Sequence, residues 1–254
     1  MTVTDTTPPP EAPTESLRAT LGRLSAAQKG AQGAPAYSRF VNRKAGRVLA
    51  ALAFHARLTP NAVTGISAAF TFTGIALLAL VPPSWAMGVA VSVCLAVGYA
   101  FDAADGQLAR LRGGGSPAGE WLDHMVDAVK IASLHLALLI GLHRSGAFDV
   151  DAVLLVPLGF SVVSVVLFFA TLLNEALRAQ HGARTRATPA GERPGMVRSL
   201  AALPTDYGVL CLVFLLLGAP TVFLTAYGAL FLATAGYLAL ACPKWFGEMR
   251  GLAA

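Results

Sequence analysis

Beyond residue 60 the chain is dominated by long apolar runs, interrupted at short intervals by Pro, Gly and charged residues. A membrane-spanning helix needs about 20 mainly apolar residues. Six segments approach or meet that length: 61–81, 84–104, 120–143, 151–176, 205–218 and 220–241. The pattern predicts an all-α fold, a bundle of six transmembrane helices. The fifth and sixth are parted only around Gly218, Ala219 and Pro220, which reads as a tight helical hairpin. Pro157, inside the fourth segment, predicts a kink.

Upstream the pattern changes. Between Ser38 and Leu58 the basic residues Arg39, Arg43, Lys44 and Arg47 are interleaved with Phe40, Val41, Val48, Leu49, Leu52 and Phe54. Four charges so closely spaced disfavour a further span and predict an amphipathic helix lying on the anionic face of a membrane. The string Leu58-Thr59-Pro60-Asn61 then breaks the chain: Pro60 limits the preceding helix and Asn61 is suited to cap the next. Residues 1–35, rich in Thr and Pro at their start, carry no apolar run long enough to bury and read as a disordered tail. They also lack the basic stretch, apolar stretch and small-residue cleavage site of a secretory signal, so the N-terminus is expected to be retained. The expected organisation is a tail over 1–35, a membrane domain over 36–243 and a short cytoplasmic C-terminal tail over 244–254.

Composition agrees with a membrane protein. Of 254 residues 55% are hydrophobic and 13% charged, and the mean hydropathy is +0.61, where soluble chains carry about 25% charge. The net charge of +5 matters through its placement. Eight basic residues precede the first span (Arg18, Arg23, Lys29, Arg39, Arg43, Lys44, Arg47, Arg57). Arg110 and Arg112 lie between the second and third, five (Arg178, Arg184, Arg186, Arg193, Arg198) between the fourth and fifth, and Lys244 and Arg250 follow the sixth. The opposite side holds Arg144. Because cytoplasmic loops are enriched in Lys and Arg, this predicts a multi-pass protein of the cell membrane with both termini cytoplasmic. The basic residues flank spans and form no stripe with interleaved aromatics, which argues against nucleic acid as a partner. Cys94, Cys211 and Cys242 form no CxxC pair and are expected to be small buried apolar residues.

The chemistry concentrates in residues 102–127, DAADGQLARLRGGGSPAGEWLDHMVD. Carboxylates at membrane depth are costly, so Asp102, Asp105, Asp123 and Asp127 together call for a function. Asp102 and Asp105 are spaced i,i+3 on one helix; Gly119, Asp123 and Asp127 are spaced i,i+4,i+8 on the next, so each pair shares a helical face. The Gly113-Gly114-Gly115 loop allows the two helices to fold antiparallel, bringing the four carboxylates together. Uncompensated, they would repel; hard divalent cations accept such all-oxygen sites. Gly106 and Ala109 leave room for a ligand against the backbone, and Arg110 is placed to pair with a phosphate.

This stretch resembles the signature DxxDGxxAR(x8)GxxxDxxxD of the CDP-alcohol phosphatidyltransferase family, matching Asp102, Asp105, Gly106, Ala109, Arg110, Gly119, Asp123 and Asp127. A chance match at a given start is on the order of 10⁻¹⁰ from average residue usage. The interfacial helix, the Thr-Pro-Asn break and the six spans extend the likeness over about residues 37–243. The resemblance implies that Asp102, Asp105, Asp123 and Asp127 hold two Mg²⁺ or Mn²⁺ ions and that Asp127 is also the catalytic general base. It implies that Gly106, Ala109 and Arg110 bind the cytidine diphosphate of a CDP-alcohol such as CDP-diacylglycerol, with Asn61 and Thr64 approaching the nucleotide. A small alcohol acceptor, release of CMP, a place in phospholipid biosynthesis and a homodimer in the bilayer complete what it implies.

Other polar residues carry two readings each. Lys130 would touch substrate phosphate or snorkel to the interface, and His135 would line the acceptor pocket or be a hydrogen-bonded core histidine. Glu120 and His124 decorate the helix start. Arg186, Arg193 and Arg198 suit a phosphorylated acceptor or the positive-inside bias alone, and Asn174, Glu175, Arg178 and Asp206 receive no role. A calcium loop fails because its first ligand position would be Phe101. A metal-dependent intramembrane prenyltransferase would carry DDxxD or NDxxDxxxD, which neither Asp pair reproduces. A cation transporter would carry acidic residues along a path or in an inverted repeat.

Overall fold

The computed structural model describes residues 15–26, 35–146, 151–183 and 205–252, and among these the chain is entirely helical and turn. α1 (Leu17–Ala26) and α2 (Arg43–His55), the latter entered through a π-helical turn at Ser38–Asn42, precede the bundle. α3 (Pro60–Leu80), α4 (Trp85–Leu111), α5 (Pro117–Ser145), α6 (Leu155–Gln180), α7 (Tyr207–Val213) and α8 (Pro220–Gly251) follow, with a 3-10 turn Phe214–Gly218 continuing α7. Five helices are long and apolar enough to cross a membrane: α3, α4, α5, α6 with its preceding turn, and α8. The fifth expected span is instead the shorter apolar helix Tyr207–Gly218, covering about 20 Å at ordinary helical rises.

Local chemistry sets the helix ends. Thr59, and not Asn61, caps α3: its hydroxyl accepts from the Ala62 N–H at 3.1 Å, with Pro60 in the first turn, where a missing N–H costs nothing. Ser84 and Ser116 cap α4 and α5 by accepting from Met87 N–H (3.2 Å) and Gly119 N–H (3.0 Å). The α4–α5 reversal passes through Gly113 (φ 98°) and Gly114 (φ 131°), left-handed positions that side chains rarely adopt. Pro157 falls in the first turn of α6, so the position where a mid-span kink was expected removes no helical hydrogen bond.

Within the stretch expected to be a disordered tail, α1 lies on α2 with Thr20 and Leu24 buried. Leu24 is 1% exposed, and it joins Ala50, Ala51, Ala53, Val63, Ala104, Leu108 and Leu111 in a small core between α1, α2, α3 and α4. Residues 1–14 and 27–34 lie outside the described residues. The expected C-terminal tail is helical through Gly251, because α8 runs on past Pro243.

The main core joins Leu78, Val91, Leu95, Leu134, Leu138, Phe160, Phe214, Phe223 and Tyr227 from α3 to α8. In lipid, burying apolar surface between helices gains little, so close approach of backbones and interhelical hydrogen bonds take over. At Gly46 of α2 a Cβ would stand 2.8 Å from Ala103 Cβ, so glycine is what lets α2 lie directly on α4. α7 runs antiparallel to α4: Tyr207 packs edge-on to Tyr99 (5.1 Å between centroids) and Gly218 lies against Trp85. Cys211 is buried in this contact, whereas Cys94 is half-buried and Cys242 exposed, so only one of the three cysteines is a core residue. The outward faces remain apolar, as at Val162 and Phe169 of α6 and Leu232 and Leu240 of α8. Lipid covers such surfaces where water would drive aggregation.

Candidate active site at the α4–α5 hairpin

α4 and α5 both pack on α3, so the end of α4 and the start of α5 meet through their side chains, at the end of the bundle that also carries α2. Thr64 of α3, directly after the capped helix start, donates its hydroxyl to Asp105 Oδ2 at 2.7 Å, and Asp105 is 7% exposed. Asp105 also lies within electrostatic range of Asp123 and Asp102, and Asp102 touches Asp127. Ligand atoms of Asp123, His124 and Asp127 all fall within 4.8 Å of one another. The four aspartates thus share one neighbourhood spanning both helices.

Lys130 and Arg110 bring positive charge to that neighbourhood. Lys130 Nζ donates to Asp102 Oδ1 at 3.2 Å, forms a close ion pair with Asp127 Oδ1, and stands 5.5 Å from the centroid of the Tyr207 ring. Arg110 lies in electrostatic range of both Asp105 and Arg43, and its buried Nε–H finds no acceptor among the described residues. Burial holds the Arg43 guanidinium below its ordinary range, and nearby Arg39 adds to the effect while Tyr99 opposes it. Two neighbouring guanidiniums, one with an unanswered donor, suit an anion. Gly106 keeps this surface open, since a Cβ there would meet only Arg110 Nη1, at 3.4 Å. Ala109 lies one turn before Gly113 on the same partly exposed end of α4.

An all-carboxylate donor set with one adjacent imidazole fits a hard divalent cation such as Mg²⁺ or Mn²⁺. Asp123, His124 and Asp127 come close enough to one another to hold such an ion, with Asp102 touching Asp127 and Asp105 only in electrostatic range of Asp102 and Asp123. The remaining sequence expectations divide. Asn61 is exposed at the start of α3, its Oδ1 3.1 Å from where a Cβ on Gly119 would stand, so it borders the hairpin. Thr64 points its hydroxyl at a carboxylate, a placement that supports Asp105 first.

His135 lies deeper, with Nδ1 2.6 Å from Tyr227 Oη, Nε2 3.1 Å from Ser164 Oγ, and its ring stacked on Phe160 at 4.2 Å: it is a hydrogen-bonded core histidine. Asp206 caps α7 through Gly208 N–H (3.1 Å) and accepts from Ser38 N–H (3.0 Å), tying the π-helical turn to the bundle. Arg178 pairs with Glu175 and, across to α8, with Glu248 at 2.5 Å. Arg186, Arg193 and Arg198 lie outside the described residues. The bridging role of Lys130 was not legible from sequence; its i,i+3 spacing from Asp127 was the available signal. His124 was likewise set aside as surface decoration, although it directly follows Asp123.

A family model described as CDP-alcohol phosphatidyltransferase matches residues 57–242, from the turn before α3 into α8. No curated protein matches the chain.

Proposed function

The chain belongs to the CDP-alcohol phosphatidyltransferase family, and from that premise we propose that it moves a phosphatidyl-type group from CDP-diacylglycerol to the hydroxyl of a small alcohol, releasing CMP. Family membership and the apolar helices make it a membrane-embedded CDP-alcohol phosphotransferase of phospholipid biosynthesis. The observation that carries the finer reading is the meeting of Asp102 and Asp105 on α4 with Asp123 and Asp127 on α5, beside an Arg110 whose Nε–H is unanswered.

In this reading Arg110 takes a phosphate of the CDP moiety, and Gly106 and Ala109 let the nucleotide lie against α4. Asp127 accepts the proton of the acceptor hydroxyl as its oxygen forms a bond to the lipid-linked phosphorus. The bond from that phosphorus to the bridging oxygen breaks, and the electron pair leaves with CMP. Two divalent ions held by Asp102, Asp105, Asp123 and Asp127 supply, when bound, charge neutralisation for phosphoryl oxygens and the leaving group. Thr64 fixes Asp105 through its hydrogen bond, and Asn61 borders the nucleotide side of the hairpin.

The course of α7 supports six passes. It runs from the level of Tyr99 and Lys130 at the site end to Trp85 at the opposite end of α4, so it travels the depth of the bundle despite its length. With the basic residues gathered on one side, both termini and the site then face the cytoplasm of the cell membrane, with α2 lying along its surface.

The test is CMP release by the purified protein in detergent with CDP-diacylglycerol, Mg²⁺ or Mn²⁺, and a panel of alcohol and alcohol-phosphate acceptors. The expected result is metal-dependent CMP formation with one acceptor class, lost in Asp127→Asn and Asp105→Asn. Full activity in chelator would overturn the reading, and turnover of a prenyl diphosphate in place of the CDP-lipid would replace it.

A further inference from the structure

We propose that Lys130 is a built-in counter-cation of the acidic hairpin: its ammonium holds Asp102 of α4 and Asp127 of α5 together while no metal is bound, and yields those oxygens to an arriving divalent ion. The proposal rests on the reading of Asp102 and Asp127 as metal ligands.

Position excludes the ordinary roles of a membrane lysine. Lys130 lies in the middle of the 29-residue helix Pro117–Ser145 and is 6% exposed, so its head group does not snorkel to a surface. Instead Nζ meets Asp127 Oδ1 on its own helix, Asp102 Oδ1 at 3.2 Å across the hairpin, and the face of Tyr207 at 5.5 Å from α7. One ammonium therefore links three helices, and every one of its described ionic contacts is a carboxylate of the proposed metal set. An ammonium at this depth is unfavourable unless paired, and two carboxylates in contact are unfavourable unless a cation lies between them. Each problem resolves the other.

The consequence is a competition. A divalent ion that takes the same oxygens must displace the ammonium from at least one of them, so the lysine stabilises the metal-free fold and weakens metal binding by the same amount. A residue that only contacted substrate phosphate would do neither.

The full-length protein in detergent, wild type and Lys130→Met, is compared by thermal unfolding in chelator and in saturating Mn²⁺, with Mn²⁺ affinity measured by electron paramagnetic resonance. In chelator the variant should unfold about 5–10 °C below wild type, as expected for two carboxylates left without their partner. Saturating Mn²⁺ should close most of that gap, and Mn²⁺ should bind the variant about tenfold more tightly or more. Equal chelator stability of the two proteins, or weaker Mn²⁺ binding by the variant, overturns the proposal. So does unchanged stability accompanied by a raised KM for the CDP-lipid, which would make Lys130 a substrate contact. If Lys130→Met does not fold in either condition, the double variant Asp102→Asn/Lys130→Met decides: recovery of folding supports the proposal, and failure to recover overturns it. Absence of any Mn²⁺ response in wild type and variant alike overturns the metal reading beneath it, whereas an equal Mn²⁺ response in both overturns the role of Lys130 alone.

Discussion

Two buried polar clusters lie along α5, and they differ in charge. At the hairpin, one lysine bridges two of the four carboxylates, and they lie near an arginine whose Nε–H finds no acceptor among the described residues. Two helical turns deeper, His135, Tyr227 and Ser164 form a neutral set in which both ring nitrogens are hydrogen-bonded and Phe160 covers the ring. The neutral set is complete in itself and joins α5, α6 and α8. The charged set holds more carboxylates than the lysine bridges, the arrangement that the proposed metal binding calls for. Charge balance, more than burial, separates the two clusters.

That contrast predicts opposite responses to substitution. The largest expected effect is on the charged side: Asp127→Asn should lower CMP release by about 100- to 10,000-fold, the usual worth of a general base, while the unfolding temperature in Mn²⁺ stays within a few degrees of wild type. A comparable loss of stability would merge the two clusters into one structural class. Next is His135→Ala, which removes two hydrogen bonds and a stacked ring and should cost about 2–4 kcal/mol, read as a drop of about 5–10 °C. Its CMP release per folded molecule should remain near wild type; a selective fall in kcat would bring His135 into the chemistry.

Thr64→Val tests the margin of the charged cluster. Removing the hydroxyl that fixes Asp105 should weaken Mn²⁺ binding by about 10-fold, as loss of a partner hydrogen-bonded to a ligand does; unchanged Mn²⁺ affinity would reduce Thr64 to a packing residue. The smallest effect is expected from Tyr227→Phe. One interhelical hydrogen bond in a bilayer is worth about 0.6 kcal/mol, so the unfolding temperature should fall by only about 1–3 °C, and a larger fall would mean that the neutral set is strongly cooperative.

Much of the hairpin was legible in one dimension. Asp102 and Asp105 share a face because i,i+3 does so on any α-helix, and the same holds for Gly119, Asp123 and Asp127. The reversal between them needed residues tolerant of positive φ, and Gly113 and Gly114 are there. Four of the six helix starts were readable to within two residues, whereas α5 begins three residues before the expected 120 and α6 four after the expected 151; Thr59 caps α3 where Asn61 was expected, because Pro60 takes the first-turn position that its fixed φ favours. α1 was missed for a different reason. Its ten residues carry little apolar character, and Leu24, the buried Thr20 hydroxyl 3.1 Å from His55 Nε2, and a hydrogen bond from Arg47 to Ser25 bind it to α2.

Local order in the chain therefore determined the class of the molecule, its apolar spans, the faces on which its acidic residues stand and the turn that lets them meet, since helix periodicity and backbone sterics act between near neighbours. Tertiary structure alone decided what each polar side chain meets: that Lys130 bridges α4 and α5 under a tyrosine of α7, that Thr64 serves Asp105, that His135 is closed off by Tyr227, and that α7 travels the bundle beside α4. Partners separated by 28, 41 and 92 residues are brought together by packing. Electrostatic and hydrogen-bond energies depend on distances of a few ångströms that no spacing within one helix encodes.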